Sequence, residues 1–337
     1  MSNSIAATTV GGMAGIVLEN EKLRAVLMPE FGARIISIIY KPTETEFVWH
    51  NPRVPIMTPT YKPEFEDMSG FFDCVPTCEK CTYKRWQLPM YGEVASEPWR
   101  VVRKQKTPRS ITVKLQRRCK VYPLMVSKAL TITKNQPSIE LNYRLTNLSD
   151  ETAEYHYSGH NTLNINPNYR IILPPEVRKL KRGYTITDRL GDFGEEISWP
   201  ITLDKSGKTV DLSKVGQPTE GTGENLYTPK LGDSWCAALN ESRNEAIGFS
   251  FDARVLPYIL VWINWGGYLG HYHVALEPSS GRPDNLDAAV NQWKNYASIE
   301  PEAEVSWTTR IFLAHNTKHI ERVTPDDGII SSSGRLF

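Results

Sequence analysis

Long apolar runs are missing from this sequence: nothing in its 337 residues approaches the stretch that a membrane-spanning helix requires. An excess of charge of either sign is missing too, since 39 Lys and Arg stand against 38 Asp and Glu, a formal net charge of +1. No basic stripe or polybasic run interrupts that mixture, which argues against nucleic acid or an anionic membrane as the main partner. Met1 to Gly15 is small and polar, without Lys or Arg, and does not read as a secretory signal. Cysteines are few and odd in number, five, with three bunched together. That suits a reduced, cytoplasmic protein better than a disulfide scaffold. Sustained helical periodicity is scarce as well, limited to short pieces such as Asn285–Lys294. Strand does not alternate with helix, so a parallel α/β fold is not expected. There is no internal repeat.

What is present is a period of two. Ser138–Asn147 places Leu141, Tyr143 and Leu145 on one side and Asn142, Arg144 and Thr146 on the other, the alternation of a half-buried strand. Leu23–Met28, Gly32–Tyr40, Phe47–Trp49, Trp99–Lys104, Ser110–Gln116 and Met125–Thr133 are further strand candidates. Turn signals such as Lys134-Asn135-Gln136-Pro137 separate them at intervals of about ten residues, the spacing of a sandwich or barrel. With 40 % apolar and 23 % charged residues the chain can build a sizeable core. All-β chains of this size often form one domain, so a single domain over residues 1–337 is expected. Its Ser/Gly-rich tail after about Thr324 reads as loosely held. Asn51 to Pro98 and Thr187 to Gly232 read as irregular, and long loops on a rigid sheet are where binding groups usually sit.

Three segments carry a further signal: Met28-Pro29-Glu30-Phe31-Gly32-Ala33, Gly159-His160-Asn161-Thr162-Leu163-Asn164-Ile165, and Ala275-Leu276-Glu277-Pro278-Ser279-Ser280-Gly281. In this order, with Leu260-Val261-Trp262-Ile263-Asn264-Trp265 ahead of the third and Ile299-Glu300-Pro301-Glu302-Ala303-Glu304 closing the chain, they resemble the aldose 1-epimerase (galactose mutarotase) family across nearly the whole sequence. The resemblance implies a large antiparallel β-sandwich, the galactose mutarotase-like supersandwich, with few short helices. It implies Glu277 and His160 as the catalytic base and acid, a small-molecule sugar as partner, no cofactor and no metal, in a monomer or homodimer. Tyr91 stands where the family usually has a His-Gly pair, and the family's acidic sugar-binding residue has only Glu224 and Asn225 as candidates.

Interconverting anomers requires one proton to leave the anomeric hydroxyl while another reaches the ring oxygen, so one base and one acid suffice. The expected pair is an ionised Glu277 beside a His160 of raised pKa. Tyr91, Trp265, His271, Arg85 and Asn161 are the candidates to hold the sugar. Trp265 is placed in the cleft because Gly266-Gly267 implies a turn at the sheet's rim. His271 and His273 share a strand face with Ala275 and Glu277. A phosphorylated sugar needs Arg or Lys at the rim, and Arg85, Arg282 and Lys84 are the nearby candidates. Cys74, Cys78 and Cys81 form a rival signal: their spacing could hold an iron–sulfur cluster, or zinc with a fourth ligand. Three free thiols in a loop is the plainer reading. Two alternatives to an epimerase remain open, a sugar-binding or sugar-sensing protein without turnover and, on Tyr91, a polysaccharide lyase.

Overall fold

A computed structural model of the chain describes residues 3–53, 69–331 and 334–335. Alternation decides its layers. In Ser138–Asn147 the side chains of Ile139, Leu141, Tyr143 and Leu145 are buried while Glu140, Asn142 and Arg144 reach solvent. Leu124–Thr133 beside it repeats the pattern. Both belong to an antiparallel eight-stranded sheet ordered Tyr169–Ile172, Trp235–Asn240, Glu245–Phe251, Glu304–His315, Ser138–Asn147, Leu124–Thr133, Ser110–Arg118 and Arg100–Lys106. One face is wet, so the strands alternate cleanly.

The facing layer is a twelve-stranded sheet whose middle runs Arg34–Tyr40, Phe71–Cys74, Ser158–Leu163, Tyr272–Ser279, Tyr258–Trp265 and Thr222–Tyr227. These central strands are buried along both faces. On one face Ile259, Val261, Ile263 and Leu276 join the core shared with Leu130, Leu141 and Ile247 of the other sheet. The opposite face carries a second, smaller cluster of Trp49, Phe72, Cys74, Cys78, Tyr91, Trp262 and Ala275. The expected all-β antiparallel sandwich is thus what forms. Its helix at Leu286–Asn291 lies within the one anticipated at Asn285–Lys294, and the Asn285 side chain accepts a hydrogen bond from the Ala288 amide at 3.1 Å as its N-cap. Among the described residues no helix is long and apolar enough to cross a membrane.

One ion pair ties the layers together behind the small cluster. Lys128, on the eight-stranded sheet, donates to Asp73 Oδ2 of the twelve-stranded sheet at 2.9 Å, each side chain 2 % exposed. Lys128 also donates to the Ala33 carbonyl, and the Tyr157 hydroxyl donates to Asp73 Oδ1 at 2.8 Å. So many partners are needed, because an unpaired charge at this depth costs several kcal/mol, of order 3–5.

Three expectations are corrected. The stretch Thr187 to Gly232 is not all irregular: it contains Glu196–Ser198, Ile201–Leu203, Thr209–Asp211 and the wholly buried strand Thr222–Tyr227. Gly, Glu and Asn disfavour strands in general, but position between two strands of a large sheet overrides that preference. The stretch Asn51 to Pro98 likewise contains Phe71–Cys74 and the hairpin Cys81–Tyr83/Trp86–Leu88; its portion 54–68 lies outside the described residues. The tail is not loose in its described part: Arg322–Thr324, Gly328–Ser331 and Gly334–Arg335 pair in a small sheet. Ile329 packs with Trp235 and Phe312 in a core cluster, and that apolar anchor outweighs the polar composition around it.

Candidate active site

Strand register assembles the site. Ser158 pairs with Ser279 and Thr162 with Ala275, so His160 and Glu277 fall opposite each other on neighbouring antiparallel strands. Residues so placed point to the same face with Cβ atoms about 4.5–5.5 Å apart. His160 Nε2 lies 3.6 Å from Glu277 Oε1, and each residue is 3 % exposed. On the far side of His160, Phe72 is its register partner and stacks on the imidazole, with centroids 4.5 Å apart and planes at 13°. The Arg34 guanidinium lies 4.0 Å from the centroid of that phenyl ring and donates to the carbonyls of Ala95 and Ser69. The Ser158 hydroxyl donates to Glu277 Oε2 at 2.8 Å, which leaves Oε1 turned toward His160.

The same arithmetic extends the face sideways. Ala275 pairs with Trp262 and Trp262 with Asn225, while Glu277 pairs with Leu260 and Leu260 with Tyr227. Above these two rows opens a cavity of about 650 Å³, lined by His160, Glu277, Trp262, Asn225 and Tyr227 from the sheet. Tyr91, Cys78, Tyr184, Tyr268 and Asp284 complete its walls from loops and strand ends. That volume lies within the ordinary range for a small-molecule site. A larger hollow, about 1030 Å³, lies over the wet face of the eight-stranded sheet among Lys114, Gln116, Asn142, Arg144 and Arg310. Among the described residues it has no histidine or cysteine in its lining, so size alone does not make it the better candidate.

Burial decides the protonation states. Desolvation, then the positive charge of Arg34, pushes His160 down to about 3. Desolvation, then the negative charge of Asp284, lifts Glu277 well above the usual carboxylate range, with the Ser158 hydrogen bond opposing. Asp284 is itself raised to about 7 by burial and by the Glu79 carboxylate. Both shifts favour the uncharged forms, a neutral His160 beside a Glu277 carboxyl that keeps its proton beyond the usual carboxylate range. This corrects the expected ionised carboxylate beside a histidine of raised pKa. The physical reason is that both groups lie in low dielectric, where uncharged forms win. Arg34 and Asp284 bias the proton the same way.

Of the expected sugar-holding residues, only Tyr91 lines the cavity with His160 and Glu277. Its ring meets Phe72 edge-on at 5.5 Å. Its backbone is in the left-handed region at φ 61°, a strain of about 1–3 kcal/mol for a non-glycine residue. Gly92 follows at φ 69°, where a Cβ would lie 2.1 Å from the Val75 carbonyl oxygen; only glycine lets the loop close there. Trp265 is not in the cleft. It faces the inter-sheet core beside Tyr272, because it has the opposite parity to Trp262 on one strand. Asn161 is turned inward for the same reason and donates to the Leu276 carbonyl at 2.9 Å. His271 has the right parity but sits six residues from Glu277, about 20 Å along a strand; it bonds Asn51 Nδ2 at 2.9 Å. Arg85 caps the Cys81–Leu88 hairpin, 60 % exposed, paired with Glu151 at 3.5 Å. Glu224 also points away from the cavity, bonded by Thr185 and Arg189.

Several cavity residues escaped the sequence reading. Asp284 stands just ahead of the helix cap, and its backbone carbonyl accepts the amides of Cys78 and Glu79. Its Oδ2 accepts from Asn225 Nδ2 and from the Tyr227 hydroxyl. Nothing in Pro283-Asp284-Asn285 marks a cleft residue; the pattern reads as a helix start. Cys74 and Cys78 are buried in the small cluster with their thiols pushed up, Cys74 by burial and Cys78 by its hydrogen bond with Cys74 and then burial. Cys81 is apart from them, its thiol near Thr77 Oγ1 at 3.7 Å. Among the described residues no three His, Cys, Asp or Glu side chains are grouped to hold a metal ion.

No protein-family model and no curated protein matches the sequence. Solved structures do match. A Klebsiella pneumoniae protein provisionally described as an aldose 1-epimerase shares 16 % identity over 94 % of this chain and 85 % of that one, with a TM-score of 0.72. A galactose mutarotase related enzyme from Lactobacillus acidophilus shares 17 % identity over 90 % and 99 %, with a TM-score of 0.64. A galactose mutarotase-like protein from Clostridium acetobutylicum shares 10 % over 93 % and 99 %, with a TM-score of 0.66. At such identities the likeness establishes the fold: this chain has the galactose mutarotase-like sandwich.

Proposed function

We propose that the protein is an aldose 1-epimerase-like isomerase that binds a monosaccharide in the 650 Å³ cavity and interconverts its anomers. The observation that carries the reading is His160 Nε2 and Glu277 Oε1, 3.6 Å apart at the floor of an aromatic-walled cavity. Aromatic faces suit the C–H faces of a sugar, and polar groups between them suit its hydroxyls.

The reaction needs no more than the pair supplies. His160 takes the proton of the anomeric hydroxyl as the Glu277 carboxyl gives its proton to the ring oxygen; the bond from the anomeric carbon to that oxygen breaks and an open-chain aldehyde forms. The aldehyde end rotates, the ring closes on its other face, and both protons return by the reverse path. Moving the resting proton from Glu277 to His160 yields the ion-pair form at the same net charge, so either residue can serve as acid first. Tyr91 offers its hydroxyl toward the sugar in place of a histidine.

Polarimetry or exchange NMR with a panel of aldoses tests the proposal. Accelerated anomer exchange that Glu277→Gln abolishes is the expected result. Absence of acceleration for every sugar sinks it, and saturable binding without turnover makes the protein a sugar-binding member of the same fold.

A further inference from the structure

On that reading, we infer that the sugar is an amino sugar, bound with its ammonium between Asp284, Asn225 and the aromatic wall of Tyr184, Trp262 and Tyr268. Charge is the first argument. Four carboxylic acids line the cavity, Glu79, Glu277, Asp284 and Asp287, while no Lys or Arg lines it among the described residues. The basic groups that a phosphate or uronate would need are engaged elsewhere: Arg85 with Glu151, Lys84 with Glu154, and Arg282 with the Thr228 carbonyl and Asn295. Lys181 stays on Trp293, 3.9 Å from its ring centroid. An anionic sugar finds no cation in this lining among the described residues, whereas an ammonium entering beside Asp284, raised only to about 7, gains a carboxylate counter-ion.

Hydrogen-bond inventory is the second and independent argument. Asn225 is 8 % exposed and its Oδ1 is buried without a partner; Asp284 Oδ1 is likewise unbonded, facing His156 Nε2 at 3.9 Å, too far to bond. The Asn225 amide cannot turn round to relieve this, because its Nδ2 already donates to the Asp284 carboxylate and to the Tyr227 hydroxyl. Asn225 Oδ1 is thus a free acceptor at the Asp284 end of the cavity, and an ammonium is a group of three donors with no acceptor. A buried acceptor left unbonded is costly, so the site is built for a donor that arrives with the ligand.

The aromatic wall agrees with both. Tyr184 lies 6.1 Å from Trp262 and 6.4 Å from Tyr268, with Trp262 and Tyr268 edge to face at 5.9 Å. Such rings attract a cation over their faces. Tyr184 is 52 % exposed and lines the cavity beside Trp262 and Tyr268. Trp262 Nε1, also unbonded, supplies one donor for a neighbouring sugar hydroxyl.

The test compares anomer exchange of glucosamine and galactosamine with glucose and galactose, with the N-acetyl forms and with the 6-phosphates, by NMR at pH 6.5 and at pH 8, on either side of the Asp284 pKa of about 7. The expected result is a kcat/KM at least tenfold higher for the free amino sugars than for their neutral parents. N-acetylation removes the advantage and the 6-phosphates react slowest. Asp284→Asn abolishes the preference; the N-acetyl comparison needs no variant and stands if that one fails to fold. Equal or better turnover of the neutral or acetylated sugars overturns the amine assignment while leaving the epimerase reading in place. Absence of acceleration for all of them removes both.

Discussion

Replacing Glu277 by Gln keeps the shape of the side chain and its contact with Ser158 but removes the proton that the pair shares across 3.6 Å. A well-placed acid or base contributes about 10²–10⁴ in rate, equivalent to about 2.7–5.4 kcal/mol of barrier. Glu277→Gln is expected to lose that much in kcat, with KM little changed. His160→Gln is expected to lose a similar factor. Because each proton leaving one residue must be matched by one reaching the other, the double variant should fall no further than either single one. The pH profile carries the same logic. Only the one-proton pair is competent, so the rate should hold down to the His160 pKa of about 3 and fall at a pH well above the usual carboxylate range, where Glu277 ionises. Exchange NMR of a fast-titrating sugar gives the rates, and ¹⁵N shifts of labelled histidine give the state of the His160 ring, expected neutral at pH 7. An acid limb at an ordinary carboxylate pKa of about 4.3, an imidazolium signal from His160 at pH 7, or full activity in Glu277→Gln refutes the reasoning.

Asp284 has a native pKa raised to about 7 against about 3.9 unfolded, so the native state holds the proton more tightly and stability must fall as pH rises between those values. Asp284→Asn should therefore gain on the native protein by about 1–3 kcal/mol between pH 5 and pH 8, read by urea denaturation at both; an unchanged difference rejects it. Lys128→Met or Asp73→Asn should each lose about 3–5 kcal/mol, and the pair together much less than the sum, because each single change strands a buried charge. A double-mutant cycle in denaturant shows this, and additive losses count against it. Trp262→Phe should raise KM several-fold at a modest cost in stability, whereas Trp265→Ala should cost about 3–5 kcal/mol of stability. Finding the two effects exchanged contradicts the assignment of faces.

The sandwich was legible from the chain because one sheet has a wet face: Leu141, Tyr143 and Leu145 can alternate with Asn142, Arg144 and Thr146 only where one side meets water. Glu277 and His160 were legible as a pair through their surrounding motifs, and Glu277 with its parity partners through the two-residue period. What the chain did not disclose follows from that same period. Trp265 and Asn161 sit one residue from the correct positions, and in strands buried on both faces no hydrophobic alternation tells which parity meets the cavity. Thr222–Tyr227 hid as a loop because its Gly, Glu and Asn are tolerated only between two flanking strands. Asp284 and Asn225 were joined by tertiary structure alone, being 59 residues apart in sequence yet hydrogen-bonded. Where the proton rests was likewise beyond the chain, since burial depth and the charges of Arg34 and Asp284 set it. Local pattern specifies which faces a strand can bury; only folding decides what each face is buried against, and that neighbour sets the chemistry.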